Sequence, residues 1–286
     1  MSSAPMPPAR GAGILRHWGG QLLQQSWARI VLGWCLVGVA AYVVPPLWGR
    51  APSAPWRQLQ PLVWTALSLA VYYAYVRLVE RRRVSELDLH RAGQECAAGL
   101  LLGTLAFTLV MMLLIGCDAY RILGYRDWSA LPAELPRYLQ DAITEELLFR
   151  AILFRILEQR WGSLTALLVS ALLFGALHLG NPGASLLSAA AIAIEAGLLL
   201  AAAYMLTRRL WLCTAIHLAW NYVQGAVYSV AVSGTTQHGL LIGRMDGPDW
   251  LTGGSFGAEA SLPAVLVCGA AGLILLRMAH RTANAA

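Results

Sequence analysis

The sequence has no lysine, so all 21 of its basic residues are arginine, and only 13% of its 286 residues are charged. Apolar residues make up 58% of the chain, and the mean hydropathy is +0.57. So little charge excludes an ordinary soluble domain. The net charge of +6 comes from dispersed arginines rather than one dense basic stripe, so we expect no nucleic-acid partner. We interpret the absence of lysine as a GC-rich bacterial coding bias.

Cysteine motifs are also absent, since none of the five cysteines forms a C-x-x-C pair. The sequence therefore indicates neither a disulfide framework nor a thiolate zinc site. Cysteines that lie mostly in apolar runs are typical of small buried hydrophobic residues. They are Cys35, Cys96, Cys117, Cys213 and Cys268.

Long apolar runs dominate the sequence, and crossing a bilayer takes about 20 residues. Eight runs have roughly that length, which predicts an all-α polytopic membrane protein with about eight transmembrane helices. We expect residues 1–28 to be a disordered N-terminus and residues 29–280 to form a single transmembrane domain. The predicted spans are 30–48, 61–79, 97–117, 138–157, 163–179, 184–206, 210–232 and 261–279.

The arginines predict the orientation of these spans, because cytoplasmic loops carry an excess of basic residues. With a cytoplasmic N-terminus, 14 arginines fall on the inner side and 6 on the outer side, and Arg150 lies within the membrane. We therefore expect a multi-pass protein of the bacterial inner membrane, with both termini in the cytoplasm and the bilayer as its surroundings.

Three charged residues, Glu145, Glu146 and Arg150, interrupt the apolar run 143–157. Each charge at the centre of a bilayer costs roughly 2.5–3.5 kcal/mol on insertion scales, so such residues are functional candidates. Glu146 and Arg150 are four residues apart, a spacing that favours an ion pair. Glu145 is rotated by about 100° and has no such partner. An unpaired carboxylate in a low dielectric holds its proton more tightly, which suits a general base. A buried ion pair that only fixes helix packing is the alternative, but it leaves Glu145 unexplained.

Two further pairs of polar or aromatic residues occur in later spans, again with a spacing of four. Phe174 and His178 share one helix face, and His217 and Asn221 share another. His178 could orient a water toward Glu145, and His217 and Asn221 could donate hydrogen bonds to a developing oxyanion. For Phe174 we expect a packing role against His178.

The successive patterns E-E-x-x-x-R, F-x-x-x-H and H-x-x-x-N resemble the CPBP family, the intramembrane endopeptidases related to the CAAX prenyl-protein protease and to bacteriocin-immunity proteins. The motif-bearing core covers about 140–225. The resemblance implies that a glutamate-activated water hydrolyses a peptide bond in a substrate that has a membrane-associated segment. It implies that Glu145 is the general base and that His178 assists it by orienting the water. It further implies that His217 and Asn221 form the oxyanion hole and that Glu146 and Arg150 support the site as an ion pair.

Two other functions remain open at this stage. The family includes scaffolds and immunity factors, and buried carboxylates with histidines also form the proton relays of transporters. The sequence shows no matched pair of broken segments, which would point to a transport site. We expect no cofactor, because no H-E-x-x-H motif occurs. If the protein does bind zinc, the ligands would be Glu145, His178 and His217.

Two features have no assigned role at this stage. Glu195 is a membrane carboxylate outside the three motifs, and it either pairs with a buried polar group or faces a cavity. The long glycine-rich loop 233–261 is expected to be irregular. It could be a lid or a collar for substrate, but a plain connection is the favoured interpretation.

Overall fold

The structure is a computed structural model that describes residues 25–49 and 54–285. Most of the predicted disordered N-terminus, residues 1–28, lies outside these residues. Its last residues do not fit the prediction, because the first helix already begins at Ser26.

The described residues form nine helical segments and one two-stranded sheet. Five of the helices contain π-helical segments, which we include in their labels. The helices are α1 (Ser26–Trp48), α2 (Ala54–Tyr75, then Val76–Glu80), α3 (Ala92–Gly116), α4 (Ala130–Glu146, then Leu147–Phe154), α5 (Arg155–Leu177), α6 (Leu186–Thr207), α7 (Leu210–Tyr222, then Val223–Val227), α8 (Asp249–Thr252) and α9 (Leu262–Ala285). The strands are β1 (Tyr120–Tyr125) and β2 (Leu241–Met245).

The prediction of an all-α polytopic membrane protein is confirmed, although six rather than eight described helices are long and apolar enough to cross a membrane. The predicted spans 138–157 and 163–179 lie in one helical stretch, Leu131–Gly180. Gly162 breaks that stretch, with φ 81° and ψ 168°. The predicted span 210–232 is helical only over Leu210–Val227, and His217, Asn221 and Gln224 lower its apolarity. The six helices are Ser26–Trp48, Trp56–Glu80, Ala92–Gly116, Leu131–Gly180, Leu186–Thr207 and Leu262–Asn284.

Helix α3 shows how the apolar residues divide between the protein core and the lipid. Phe107 and Met111 are fully buried, whereas Leu101, Leu105 and Met112 are exposed. A helix that is hydrophobic all round belongs in a core or a membrane. The exposed apolar face of α3 is therefore the face expected to contact lipid.

Two glycines of α3 let it approach α7 closely. A Cβ atom on Gly103 would lie 2.5 Å from the carbonyl oxygen of Ile216, and one on Gly99 would lie 2.6 Å from the Cβ of Ala215. Small residues four apart are a common contact in membrane helix pairs, because they allow the backbones to touch. This contact fixes the part of α7 that carries His217.

We therefore expect Gly103→Ala to destabilise the protein by about 1–3 kcal/mol, the usual cost of overpacking a tight contact. Gly116→Ala is the matched control, since a Cβ atom there would meet nothing within 4 Å. Melting temperatures in detergent would test this. Equal melting temperatures for the two variants would show that α3 and α7 are not tightly packed.

Arginines cluster at both ends of the helix bundle. Arg209 pairs with Glu95 at the beginning of α3, and Arg155 pairs with Glu80 at a distance of 2.7 Å. At the other end, Arg121 and Arg244 are opposite each other in the β1–β2 ladder, which begins four residues after α3 ends. The arginines that the sequence assigns to opposite sides of the membrane thus lie at opposite ends of α3.

Reporter fusions test this orientation. Fusions after Arg83, Arg160 and Arg209 should report the cytoplasm, and fusions near Arg126 and Gly247 should report the opposite side. A signal from the outer side at Arg209 would contradict the predicted orientation of α7.

Candidate active site

One open cavity brings together the four residues that the sequence predicts to be catalytic. Glu145 reaches it from α4, His178 from the turn that follows α5, and His217 and Asn221 from α7. Spans that are distant in sequence therefore place the four proposed catalytic side chains around one space.

Glu146 lies directly behind this cavity and is fully buried. Its Oε1 atom accepts a hydrogen bond from a guanidinium nitrogen of Arg150 at 3.0 Å, and lies 2.9 Å from Nδ1 of His217. The ion pair expected from the spacing is present, and it extends to a histidine on another helix. Glu146 thus connects α4 to α7.

The π-helical segment within α6 completes the surroundings of Arg150. The guanidinium donates to the carbonyl oxygens of Ala196 at 2.9 Å and Gly197 at 3.3 Å. Its carbon lies 4.8 Å from the centre of the Phe174 ring. π-Helical turns occur frequently at functional sites, and here the one in α6 supplies acceptors to a buried cation. Arg150 is therefore held by α4, α5 and α6.

The contact with Glu146 fixes the protonation pattern of the His217 ring. A ring nitrogen beside a carboxylate oxygen carries the proton, so Nδ1–H donates to Glu146. The other nitrogen, Nε2, lies 3.9 Å from Oε2 of Glu145. A neutral His217 would thus offer a lone pair at Nε2, and only the imidazolium form would offer a second N–H.

His178 has a similar arrangement on the neighbouring wall. Its Nδ1 lies 2.7 Å from the carbonyl oxygen of Phe174, which can only accept, so Nδ1 is the donor. Nε2 is then the nitrogen that can accept a proton or bind a water. The Phe174 ring contacts both histidines, with ring centroids 4.8 Å from His178 and 6.4 Å from His217.

Glu145 differs from its neighbour because its side chain is 26% exposed and lines the cavity. Among the described residues, no arginine forms an ion pair with it. The adjacent glutamates are thus arranged as the sequence predicts, with Glu146 paired and Glu145 facing the open space.

The sequence favoured an irregular loop and a plain connection for residues 233–261. The structure contradicts both interpretations. The loop contains β2, α8 and a short 3₁₀ turn, Ala258–Ala260, and it contributes Ser233 and Glu259 to the cavity. The backbone N–H of Ser233 donates to Oε1 of Glu259 at 2.6 Å. Burial raises the pKa of the Glu259 carboxyl, while the nearby His178 and the bond from Ser233 act in the opposite direction.

Sequence reasoning missed Ser233, Trp220 and Glu259, which line the cavity. It noted Glu195 without a role, and the structure places this carboxyl in the same cavity. The sequence signal for Glu259 was a lone acid within a glycine-rich loop segment.

The described residues do not offer a ready metal site. No three His, Cys, Asp or Glu side chains among them are grouped so that they could hold an ion. The potential set of Glu145, His178 and His217 lines one cavity, with Nε2 of His217 3.9 Å from Oε2 of Glu145.

Comparison with known proteins supports a protease. Residues 127–223 match the family described as type II CAAX prenyl endopeptidase Rce1-like. The match covers about a third of the chain and includes all three motifs, and it confirms the resemblance to the CPBP, or CAAX protease-like, family. This family supports a CAAX-type intramembrane protease in general terms. No curated protein and no solved structure matches the chain.

Proposed function

We propose that the protein is an intramembrane endopeptidase that hydrolyses a peptide bond of a membrane-associated substrate by means of a water activated by Glu145. The observation that carries this proposal is the cavity in which Glu145, His178, His217 and Asn221 meet. The family match supports the reaction class, and the following roles are our own assignment.

In the first step, the Glu145 carboxylate takes a proton from a water whose oxygen attacks the carbonyl carbon of the substrate. The Nε2 atom of His178 accepts a hydrogen bond from the same water and orients it. Glu145 suits this role because its side chain reaches the cavity and has no arginine partner among the described residues. The carbonyl π electrons move to oxygen and form the tetrahedral oxyanion.

Asn221 and His217 are assigned to stabilise this oxyanion. The amide of Asn221 can donate directly, whereas His217 must be an imidazolium to donate from Nε2. Glu146 stabilises that cation through its 2.9 Å contact with Nδ1. Collapse of the intermediate breaks the C–N bond, and protonated Glu145 gives its proton to the departing amine.

The most direct test is the search for new peptide termini. Purified protein in lipid vesicles would be incubated with peptides that carry a membrane-associated segment, and the products would be sequenced by mass spectrometry. We expect products with the wild type and none with Glu145→Gln. Wild-type protein that folds in vesicles and yields no new termini across the panel would favour the scaffold interpretation.

We also propose that hydrolysis needs no bound metal. Zinc ligands lie at roughly 2.0–2.3 Å from the ion, and the described His, Cys, Asp and Glu side chains form no group of three suited to hold one. The buried charge of Arg150, which contacts Glu146, would further oppose a divalent cation.

Treatment with a strong chelator should accordingly leave cleavage unchanged, with the metal content measured in parallel. Loss of activity that zinc alone restores, together with near-stoichiometric metal in the untreated protein, would overturn this part of the proposal.

A further inference from the structure

The cavity is also lined by two carboxyl groups that the proposed mechanism does not use. Glu195 comes from the π-helical segment of α6 and is 4% exposed, and Glu259 comes from the 3₁₀ turn before α9 and is 2% exposed. Both line the cavity. Nothing in the proposed hydrolysis requires either of them.

Neither carboxyl is neutralised by an arginine in the described part of the chain, and the ionisable group that faces Glu259 is His178. Within residues 25–49 and 54–285, no ion pair joins either of them to an arginine. The contact found for Glu195 is with the Cys268 thiol, a weak donor, at 4.0 Å. Arg150 is directed to Glu146 and to carbonyl oxygens of α6.

Burial of Glu195 is costly, because its carboxyl loses its hydration and gains only the weak thiol contact in return. Replacing buried ionic groups with apolar residues of similar volume is often neutral or stabilising. Packing of α6 against α9 therefore does not require a glutamate at position 195. A ligand that enters the cavity would provide the missing partner.

A separate observation also indicates a ligand. Trp220 lines the same cavity, and its indole N–H is buried and has no hydrogen-bond partner among the described residues. Buried donors of this kind are normally satisfied. A peptide offers both partners, because its main-chain carbonyl accepts from an N–H and a basic side chain donates to carboxyls.

We propose that Glu195 and Glu259 form a substrate subsite that binds a basic side chain next to the scissile bond and disfavours an acidic one. This inference rests on the proposed function. The two carboxyls accept hydrogen bonds from the basic group, and Trp220 donates to the adjacent main chain. No arginine among the described residues lines the cavity, and an acidic side chain at this subsite would lie against two further carboxyls.

The test separates binding from catalysis. A membrane-anchored peptide is made in three forms that differ at one position, which holds Arg, Gln or Glu. The set of three is then repeated with this variable position at each residue on either side of the bond at the centre of the peptide. Dissociation constants are measured with the Glu145→Gln variant, which leaves the peptides intact and removes the Glu145 charge.

We expect the arginine form to bind at least about tenfold more tightly than the glutamate form at one or two neighbouring positions, as coupling energies of close charge pairs predict. Adding Glu195→Gln and Glu259→Gln should reduce this ratio to near one. Glutamine keeps the size of both side chains, and at position 259 it can still accept from the N–H of Ser233.

Glu158→Gln is the matched control, because Glu158 pairs with Arg208 and lies outside the cavity. This control should leave the ratio unchanged. An arginine-to-glutamate ratio near one in the Glu145→Gln protein, or a high ratio that survives both cavity substitutions, would overturn the subsite. Absence of cleavage by wild-type protein, with the binding preference intact, would refute the proposed function alone.

Discussion

Glu145→Gln is expected to abolish detectable peptide cleavage, because loss of a general base lowers kcat/KM by about 10²–10⁴-fold. The amide cannot take a proton from water, although it has nearly the same size as the carboxylate. Stability should stay close to wild type, because Glu145 is partly exposed and has no arginine partner in the described part of the chain. Cleavage rates and melting temperatures in detergent would be measured on the same preparations.

Glu134→Gln is the control for this prediction. Glu134 lies on the same helix, about half exposed and outside the cavity, where it pairs with Arg137. That variant should cleave at the wild-type rate. If Glu134→Gln and Glu145→Gln retained equal activity, Glu145 would not be the base.

Glu146→Gln and Arg150→Leu are expected to lower stability as well as activity. Removing one partner of a buried pair leaves the other charge uncompensated, which typically costs about 3–5 kcal/mol. Glu146 additionally contacts Nδ1 of His217, so its loss also disturbs the proposed oxyanion site. Unfolding in detergent and cleavage by whatever protein remains folded would be measured together.

Arg137→Leu is the matched control on the same helix, since that side chain is 40% exposed and its loss leaves no fully buried charge. It should destabilise far less than Arg150→Leu. A destabilised Glu145→Gln variant beside a fully folded but inactive Glu146→Gln variant would reverse the roles given to the two glutamates.

The local spacing of the motifs was sufficient to predict part of this site. A separation of four residues placed Glu146 and Arg150 on one helix face, and the structure has them paired at 3.0 Å. The same reasoning placed Glu145 on a different face. Contacts within one helix follow from its geometry, so the sequence alone contains them.

Contacts between helices could not be derived in this way. The bond between Glu146 and His217 joins residues 71 positions apart. His178 lies one residue before the end of the predicted span 163–179 and His217 lies seven residues after the start of 210–232, yet both rings contact Phe174. Helix tilt and the break at Gly162 change the depth of a residue, and neither is visible in hydropathy.

The loop 233–261 shows a second limit of sequence reasoning. Its glycines indicated a lack of regular structure, but β2 pairs with β1, which is more than 100 residues earlier in the chain. Ladder partners so far apart leave no local periodicity. Glu259 in turn accepts a hydrogen bond from the N–H of Ser233, 26 residues earlier, which local periodicity does not show either.

The central claim is that water activated by Glu145 cleaves a peptide bond, and cleavage in ¹⁸O-labelled water tests it most directly. Wild-type protein in vesicles, with a membrane-anchored peptide, should yield a product whose new C-terminal carboxylate carries one ¹⁸O atom, and Glu145→Gln should yield none. Unlabelled product, or labelled product formed equally by Glu145→Gln, would contradict the account.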